Sequence, residues 1–256
     1  MKTASAVLFA FVALVCARAA LAEPTEVVIR VLAKDAKFIG TEMGGAQVTL
    51  RDADSGKILA EGLTAGGTGN TPKIMTDGHA RRDVLADDKS AKFSAVLDIQ
   101  KPTRITATAT GPMVPKASAV TVSSTQWVLP GKPVNGGDGW VLEIAGFAID
   151  LLEPLPTNAR VAGAGLKIPL KAKVTMQCGC PITPAGLWDA NKFQVAAMLE
   201  RNGKVYPATA LTYAGQASTF SGEIAVTEAG EYTVDVYAYD PANGNTGVAK
   251  FKLTAN

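Results

Sequence analysis

Helical periodicity is nearly absent from this chain. Beyond the first two dozen residues, apolar and β-branched positions recur at every second residue in short runs. Gly, Pro, Asn and Asp close each run. The runs predict strands over 25–33, 46–52, 57–61, 92–99, 103–110, 117–125 and 140–144. A second set covers 166–176, 193–201, 204–211, 218–226, 231–239 and 248–253. Short strands separated by turns at about eight to twelve residues point to antiparallel sandwiches. The expected fold class is all-β, with two antiparallel β-sandwich (immunoglobulin-like) domains. The proline-rich stretch Glu153-Pro154-Leu155-Pro156 divides them into 23–153 and 154–256. Asp54-Ser55-Gly56 and Asn202-Gly203 are hairpin turns of the kind that use positive φ. Pro241-Ala242-Asn243-Gly244-Asn245 joins the last two strands.

Residues 1–22 stand apart. Lys2 precedes an apolar stretch from Ala6 to Ala17, Arg18 interrupts it, and Ala20-Leu21-Ala22 closes it as a small-x-small cleavage site. The stretch is too short to span a bilayer comfortably. This is a signal peptide, and the mature protein is expected to be periplasmic or secreted. Cleavage leaves 234 residues (256 − 22). Lys2 and Arg18 go with the leader, so 25 basic residues against 23 acidic become 23 against 23. A neutral chain lacks the electrostatic footprint of a nucleic-acid or anionic-membrane binder. No nucleic-acid partner and no membrane insertion after cleavage are expected. Another exported protein is the expected partner. Cys16 also leaves, and Val15 before it is not the small residue that lipidation requires, so no lipid anchor is expected. Only Cys178 and Cys180 remain, and core burial must hold the fold.

The segment 62–91 has little strand pattern. It runs from the glycine-rich Gly66-Gly67-Thr68-Gly69-Asn70 through Met75-Thr76-Asp77-Gly78-His79 to Asp87-Asp88-Lys89. So long a loop inside a compact domain is either functional or mobile. Its composition reads as a solvated excursion with Arg–Asp pairs, and as a place for a partner surface.

Two resemblances refine the fold. The run Glu228-Ala229-Gly230-Glu231-Tyr232-Thr233-Val234-Asp235-Val236, followed by Ala238-Tyr239-Asp240-Pro241-Ala242-Asn243-Gly244-Asn245-Thr246-Gly247, resembles the closing strands of bacterial immunoglobulin-like domains. The resemblance covers roughly 158–256 and implies that Tyr232 is a corner tyrosine bonded to the preceding turn. In the N-terminal half, 45–57 (Gly45-Ala46-Gln47-Val48 through Ser55-Gly56-Lys57) is similar to the opening hairpin of carboxypeptidase-regulatory-like, transthyretin-like sandwiches. Such modules host many functions, and neither resemblance implies catalytic residues.

Catalytic motifs are lacking. One histidine, His79, rules out paired-histidine metal motifs, and no Gly-x-Ser-x-Gly elbow is present. The glycine run at 66–71 has no phosphate-loop lysine and is followed by Pro72. The chain is expected not to be an enzyme.

The one chemical constellation is Met176-Gln177-Cys178-Gly179-Cys180. On an extended strand, Met176, Cys178 and Cys180 project to one face. Two thiolates and a thioether form a soft set suited to copper as Cu(I). A Cys178–Cys180 disulfide, permitted by Gly179 and favoured in an oxidising compartment, is the alternative, and intermolecular or redox-active thiols are a third. The loop 180–192 then places Trp188 and Asp189 beside the last hairpin, as a docking rim. Trp127 and Trp140 flank a Gly/Pro loop, where exposed rings would make a sugar platform and buried rings would pack the sandwich end. Asp138, Asp240, Asn243 and Asn245 could offer oxygens to Ca²⁺, but turns use these residues for their own backbone bonds. The resulting expectation is a non-catalytic exported binding or accessory protein. Copper handling, thiol redox chemistry and surface or carbohydrate adhesion are the alternatives.

Overall fold

The computed structural model describes residues 24–153, 160–161 and 165–255. The expected signal peptide and the middle of the proline-rich boundary lie outside them. The strands are β1 (Thr25–Ala33), β2 (Gln47–Asp52), β3 (Ile58–Leu63), β4 (Phe93–Leu97), β5 (Thr103–Gly111), β6 (Val120–Val128) and β7 (Trp140–Ile144). They continue as β8 (Phe147–Glu153), β9 (Arg160–Val161), β10 (Leu166–Met176), β11 (Gln194–Arg201), β12 (Lys204–Val205) and β13 (Thr209–Ala210). The last four are β14 (Thr212–Tyr213), β15 (Thr219–Val226), β16 (Gly230–Tyr239) and β17 (Thr246–Ala255).

In the N-terminal sandwich, sheet β4-β1-β7 faces sheet β3-β2-β5-β6, and within these sheets only the β1–β7 pairing is parallel. The alternation of β5 shows how sequence sets the layers. Ile105, Ala107 and Ala109 are buried, while Thr106, Thr108 and Thr110 face outward. In the C-terminal sandwich, β14-β15-β10-β8 faces β12-β11-β16-β17-β9. Taking β8, β10, β11, β14, β15, β16 and β17 as strands A to G, one sheet reads A-B-E-D and the other C-F-G. That is the immunoglobulin arrangement. Tyr232 is fully buried, and its hydroxyl donates to the Glu228 carbonyl at 2.8 Å, making the expected corner.

The hairpin turns also form as read. Gly56 has φ 74°, and Asn202 and Gly203 have φ 49° and 78°. The Asp52 carboxylate accepts from the backbone N–H groups of Asp54 and Ser55 at 2.9 Å.

Four features differ from the sequence expectation. Phe147–Glu153 is a strand that pairs with β10 (Phe147 opposite Met176), so the chain changes sandwich at Ala145-Gly146, before the expected boundary at 153/154. Gly146, at φ 121°, makes the reversal, which an unbroken apolar run conceals. The 204–211 run splits into β12 and β13 around Pro207, which lacks an N–H for the ladder. Strand β6 starts at Val120 because Lys116–Ser118 form a 3-10 turn.

The fourth is the 62–91 excursion, which folds over a small core of its own. Phe38, Ile74, Ala86 and Ala91 are buried together, against Leu32 on the outward side of β1. The Asp138 carboxylate accepts from the N–H groups of Leu85 and Ala86 at 3.0 and 2.7 Å. Ile74 and Met75 sit in a single π turn, Pro72–Thr76, too short to register as a helical period.

Candidate functional site

The Met-x-Cys-x-Cys segment is the first place to test for chemistry. Strand β10 ends at Met176, and the Gly179 N–H bonds back to the Met176 carbonyl at 2.8 Å. The Met176 N–H in turn bonds the Cys180 carbonyl at 3.1 Å. The chain therefore turns where the one-face arrangement of Met176, Cys178 and Cys180 needed it to stay extended. Gly179 takes φ 80° at this bend. Cys178 and Cys180 are joined as a disulfide, with Cα atoms 5.4 Å apart. Disulfide sulfurs are not thiolates, so in this form the soft-ligand set is not assembled. Met176 and Cys178 are each 1% exposed and belong to the core. Among the described residues, no group of three or more His, Cys, Asp and Glu side chains is placed to hold a metal.

The same loop does structural work at the joint between the sandwiches. A Cβ on Gly179 would lie 2.7 Å from Met43 Sδ, so a larger residue there would have to push that side chain aside. Trp188 is 7% exposed, and its Nε1–H donates to the Asp35 carbonyl at 2.9 Å. Asn243 Nδ2 donates to Asp35 Oδ2 at 3.2 Å, and Lys34 Nζ donates to the Asn243 carbonyl at 3.2 Å. Asn245, buried, accepts from the Gly146 N–H at 2.6 Å through Oδ1. Ser118 Oγ accepts from Ile149 N–H at 2.7 Å, capping β8 from the N-terminal side. Gly247 passes so close to Phe147 that an added Cβ would lie 2.5 Å from its backbone nitrogen. One continuous set of buried apolar residues runs through both sandwiches. The expected docking rim around Trp188 is therefore occupied by the chain's own N-terminal sandwich.

Electrostatics at the joint follow from this packing. Burial, together with the nearby Asp240 carboxylate, raises the Asp35 pKa above its ordinary value, and Lys34 opposes the rise. The Asp189 carboxyl is held below its ordinary value by the N–H groups of Asn191 and Ala185. The oxygens considered for Ca²⁺ are used in turns. Asp240 accepts from Ala242 N–H at 2.8 Å, and Asn243 Oδ1 from Asn245 N–H at 2.8 Å. His79 lies exposed on the excursion, with Nδ1 3.1 Å from the Asp77 carbonyl.

The two loop-flanking tryptophans part company. Trp140 is 7% exposed and packs in the core, whereas Trp127 is 61% exposed. Trp127 lies on β6 opposite Arg104 of β5, at one end of a polar array that the sequence reading did not single out. Thr106 faces Thr125, Thr108 faces Ser123, and Thr110 faces Thr121 across the strand pair. Two of these pairs bond directly, with Oγ1 atoms 2.7 and 2.8 Å apart. On the far side of β5, Thr49 of β2 stands opposite Thr108. The hydroxyls of Thr49, Thr108 and Ser123 have no hydrogen-bond partner among the described residues. The alternation Thr-x-Thr-x-Thr at 106–110 and Thr-x-Ser-x-Thr at 121–125 was the available signal. What it lacked was the register that lines the two runs up.

No protein-family model matches the chain, and no curated protein does. Among solved structures, an engineered protein is 18% identical over 50% of this chain and 24% of its own, with a TM-score of 0.32. Fibronectin(III)-like modules of Clostridium thermocellum CbhA are 12% identical over 82% of this chain and 77% of theirs, at 0.29. A tetra-tandem repeat from the extending region of a large adhesion protein is 14% identical over 91% and 50%, also at 0.29. The chain thus spans a quarter of the first and half of the third. What establishes the fold of this chain is its own strand order: two β-sandwiches, the second immunoglobulin-like.

Proposed function

We propose that this chain is an exported, non-catalytic binding module, a pair of sandwiches held at a fixed angle that leaves one sheet face open for a partner. The observation that carries the reading is the contrast among its tryptophans. Two are buried, and the third projects from an uncovered face. A large aromatic ring left in water by a chain that buries comparable rings elsewhere marks a contact surface. Export rests on the basic-apolar-small order of residues 1–22.

The test has two parts. The mature protein, recovered from the exported fraction, is expected to begin at Glu23. A photo-crosslinking residue at position 127 is expected to capture a component of that compartment, whereas the same residue at the equally exposed Val205 is not. Robust turnover of a hydrolase or oxidoreductase substrate, or a cytoplasmic protein with its leader intact, would overturn the reading.

A further inference from the structure

We infer that the open face of sheet β3-β2-β5-β6 binds a neutral polysaccharide laid along the β5–β6 pair, with Trp127 as its stacking platform. The inference rests on the binding-module reading and names its ligand class.

Three properties of the face point the same way. The first is geometry. From Thr121 to Trp127 the strip spans six residue steps of a strand, about 20 Å, long enough for a short run of sugar units. Its outward positions on β6 are all exposed, and β6 is the edge strand of the sheet. The second is hydrogen-bonding character. Threonine and serine hydroxyls both donate and accept, as sugar hydroxyls do, so one row can meet the other in several rotational states. Among the described residues, Thr108, Ser123 and Thr49 have this capacity unused, whereas the Thr106–Thr125 and Thr110–Thr121 pairs hold neighbouring hydroxyls in fixed positions. The third is charge. Along β5 and β6 the strip's outward charge is Arg104, which is ion-paired with Asp54. The adjoining strands add one exposed charge of each sign, Arg51 opposite Thr106 and Glu61 opposite Thr49, so the face has little net charge, which suits an uncharged polymer and gives an acidic one little attraction.

Trp127 supplies the apolar part of the contact. Pyranose rings present a face of C–H groups, and an exposed indole stacks against it. The cross-strand guanidinium of Arg104, anchored by Asp54, stands beside the indole at the end of the strip. The other outer face of this sandwich does not compete, because the 62–91 excursion packs against Leu32 there.

The test uses the full mature chain and three neutral probes: insoluble cellulose, a soluble mixed-linkage β-glucan and glycogen. Heparin and alginate are the charged controls. Retention by at least one neutral probe is expected, unchanged in 1 M NaCl, with neither charged control retained. Trp127→Ala is expected to weaken retention about tenfold or more with an unchanged melting temperature. Thr108→Val combined with Ser123→Ala should weaken it several-fold while keeping the indole. The inference is overturned if no neutral probe is retained, if Trp127→Ala binds as the parent does, or if retention is lost in salt. Should the crosslinker at 127 capture an exported protein while no polysaccharide binds, the ligand class is wrong and the binding-module reading stands. Should neither occur, both fall.

Discussion

The joint between the sandwiches and the open face of the N-terminal sheet draw on similar residues and use them in opposite ways. At the joint, Trp188 is covered and its Nε1–H is spent on the Asp35 carbonyl. On the face, Trp127 stands in solvent at the end of a strip on which the Thr108 and Ser123 hydroxyls have no partner among the described residues. The joint also consumes the loop that looked most like a site. Cys178 and Cys180 close a small ring that tucks Gly179 under Met43. The lesson is that unusual sequence chemistry can be used up inside the fold, while an ordinary run of threonines stays on an uncovered surface.

If that contrast is right, substitutions at the joint cost stability and substitutions on the face do not. The largest effect is expected at Phe147, which is fully buried where the chain changes sandwich and meets the Phe193 ring edge-on at 5.2 Å. Phe147→Ala should cost about 3–5 kcal/mol in urea unfolding. Because the core is continuous, Trp140 in the N-terminal sandwich should report the same transition as the C-terminal one. Two separated transitions in the parent protein would break the picture of a shared core.

Gly179→Ala comes next. A side chain at φ 80° is strained, and Met43 must move aside, so a loss of about 2 kcal/mol is expected. A neutral result would mean that the ring is not clamped by Met43. Hydroxyls give a smaller and cleaner comparison. Tyr232→Phe removes a buried donor and should cost about 1 kcal/mol, with the Glu228 carbonyl left short of a partner. Thr108→Val on the open face should stay within about 0.5 kcal/mol of the parent. Equal costs for the two would erase the distinction between a spent hydroxyl and a free one.

The smallest effects are those of pH. Asp189 titrates below its ordinary value in the folded protein, so its carboxylate favours the fold above that value. This contribution is lost as pH falls through the depressed pKa. Asp189→Ala should therefore flatten the acid limb of a stability-against-pH curve. Asp35 has the opposite sign. Its raised pKa means that ionisation opposes folding, so stability should rise slightly as pH falls through its range. Asp35 also sits at φ 53°, where asparagine is at ease, and Asp35→Asn should change stability by no more than about 0.5 kcal/mol, upward. A clear loss would show that Asp35 Oδ2 needs its charge to hold Asn243.

The polar array was half legible. Thr106, Thr108 and Thr110 alternate with Ile105, Ala107 and Ala109, so their common outward face follows from period two alone. That Thr121, Ser123 and Thr125 meet them in register depends on the loop 112–119, whose length and 3-10 turn no alternation rule predicts. The joint was less legible still. Its Trp188–Asp35 bond spans 153 residues, and the strand that delivers Phe147 was hidden in a longer apolar run.

Sequence alone therefore determined what is local. It set the strand faces through alternation, the turns through Gly and Asn at positive φ, and the corner tyrosine through its motif. Tertiary structure alone decided which surfaces are covered. Burial of Trp188 and exposure of Trp127, or the use of Cys178 and Cys180 in a joint, depend on which distant loops meet at one end of a sandwich. A strand's own pattern fixes the side on which a residue points, whereas what lies opposite is set by chain closure across 99 and 153 residues.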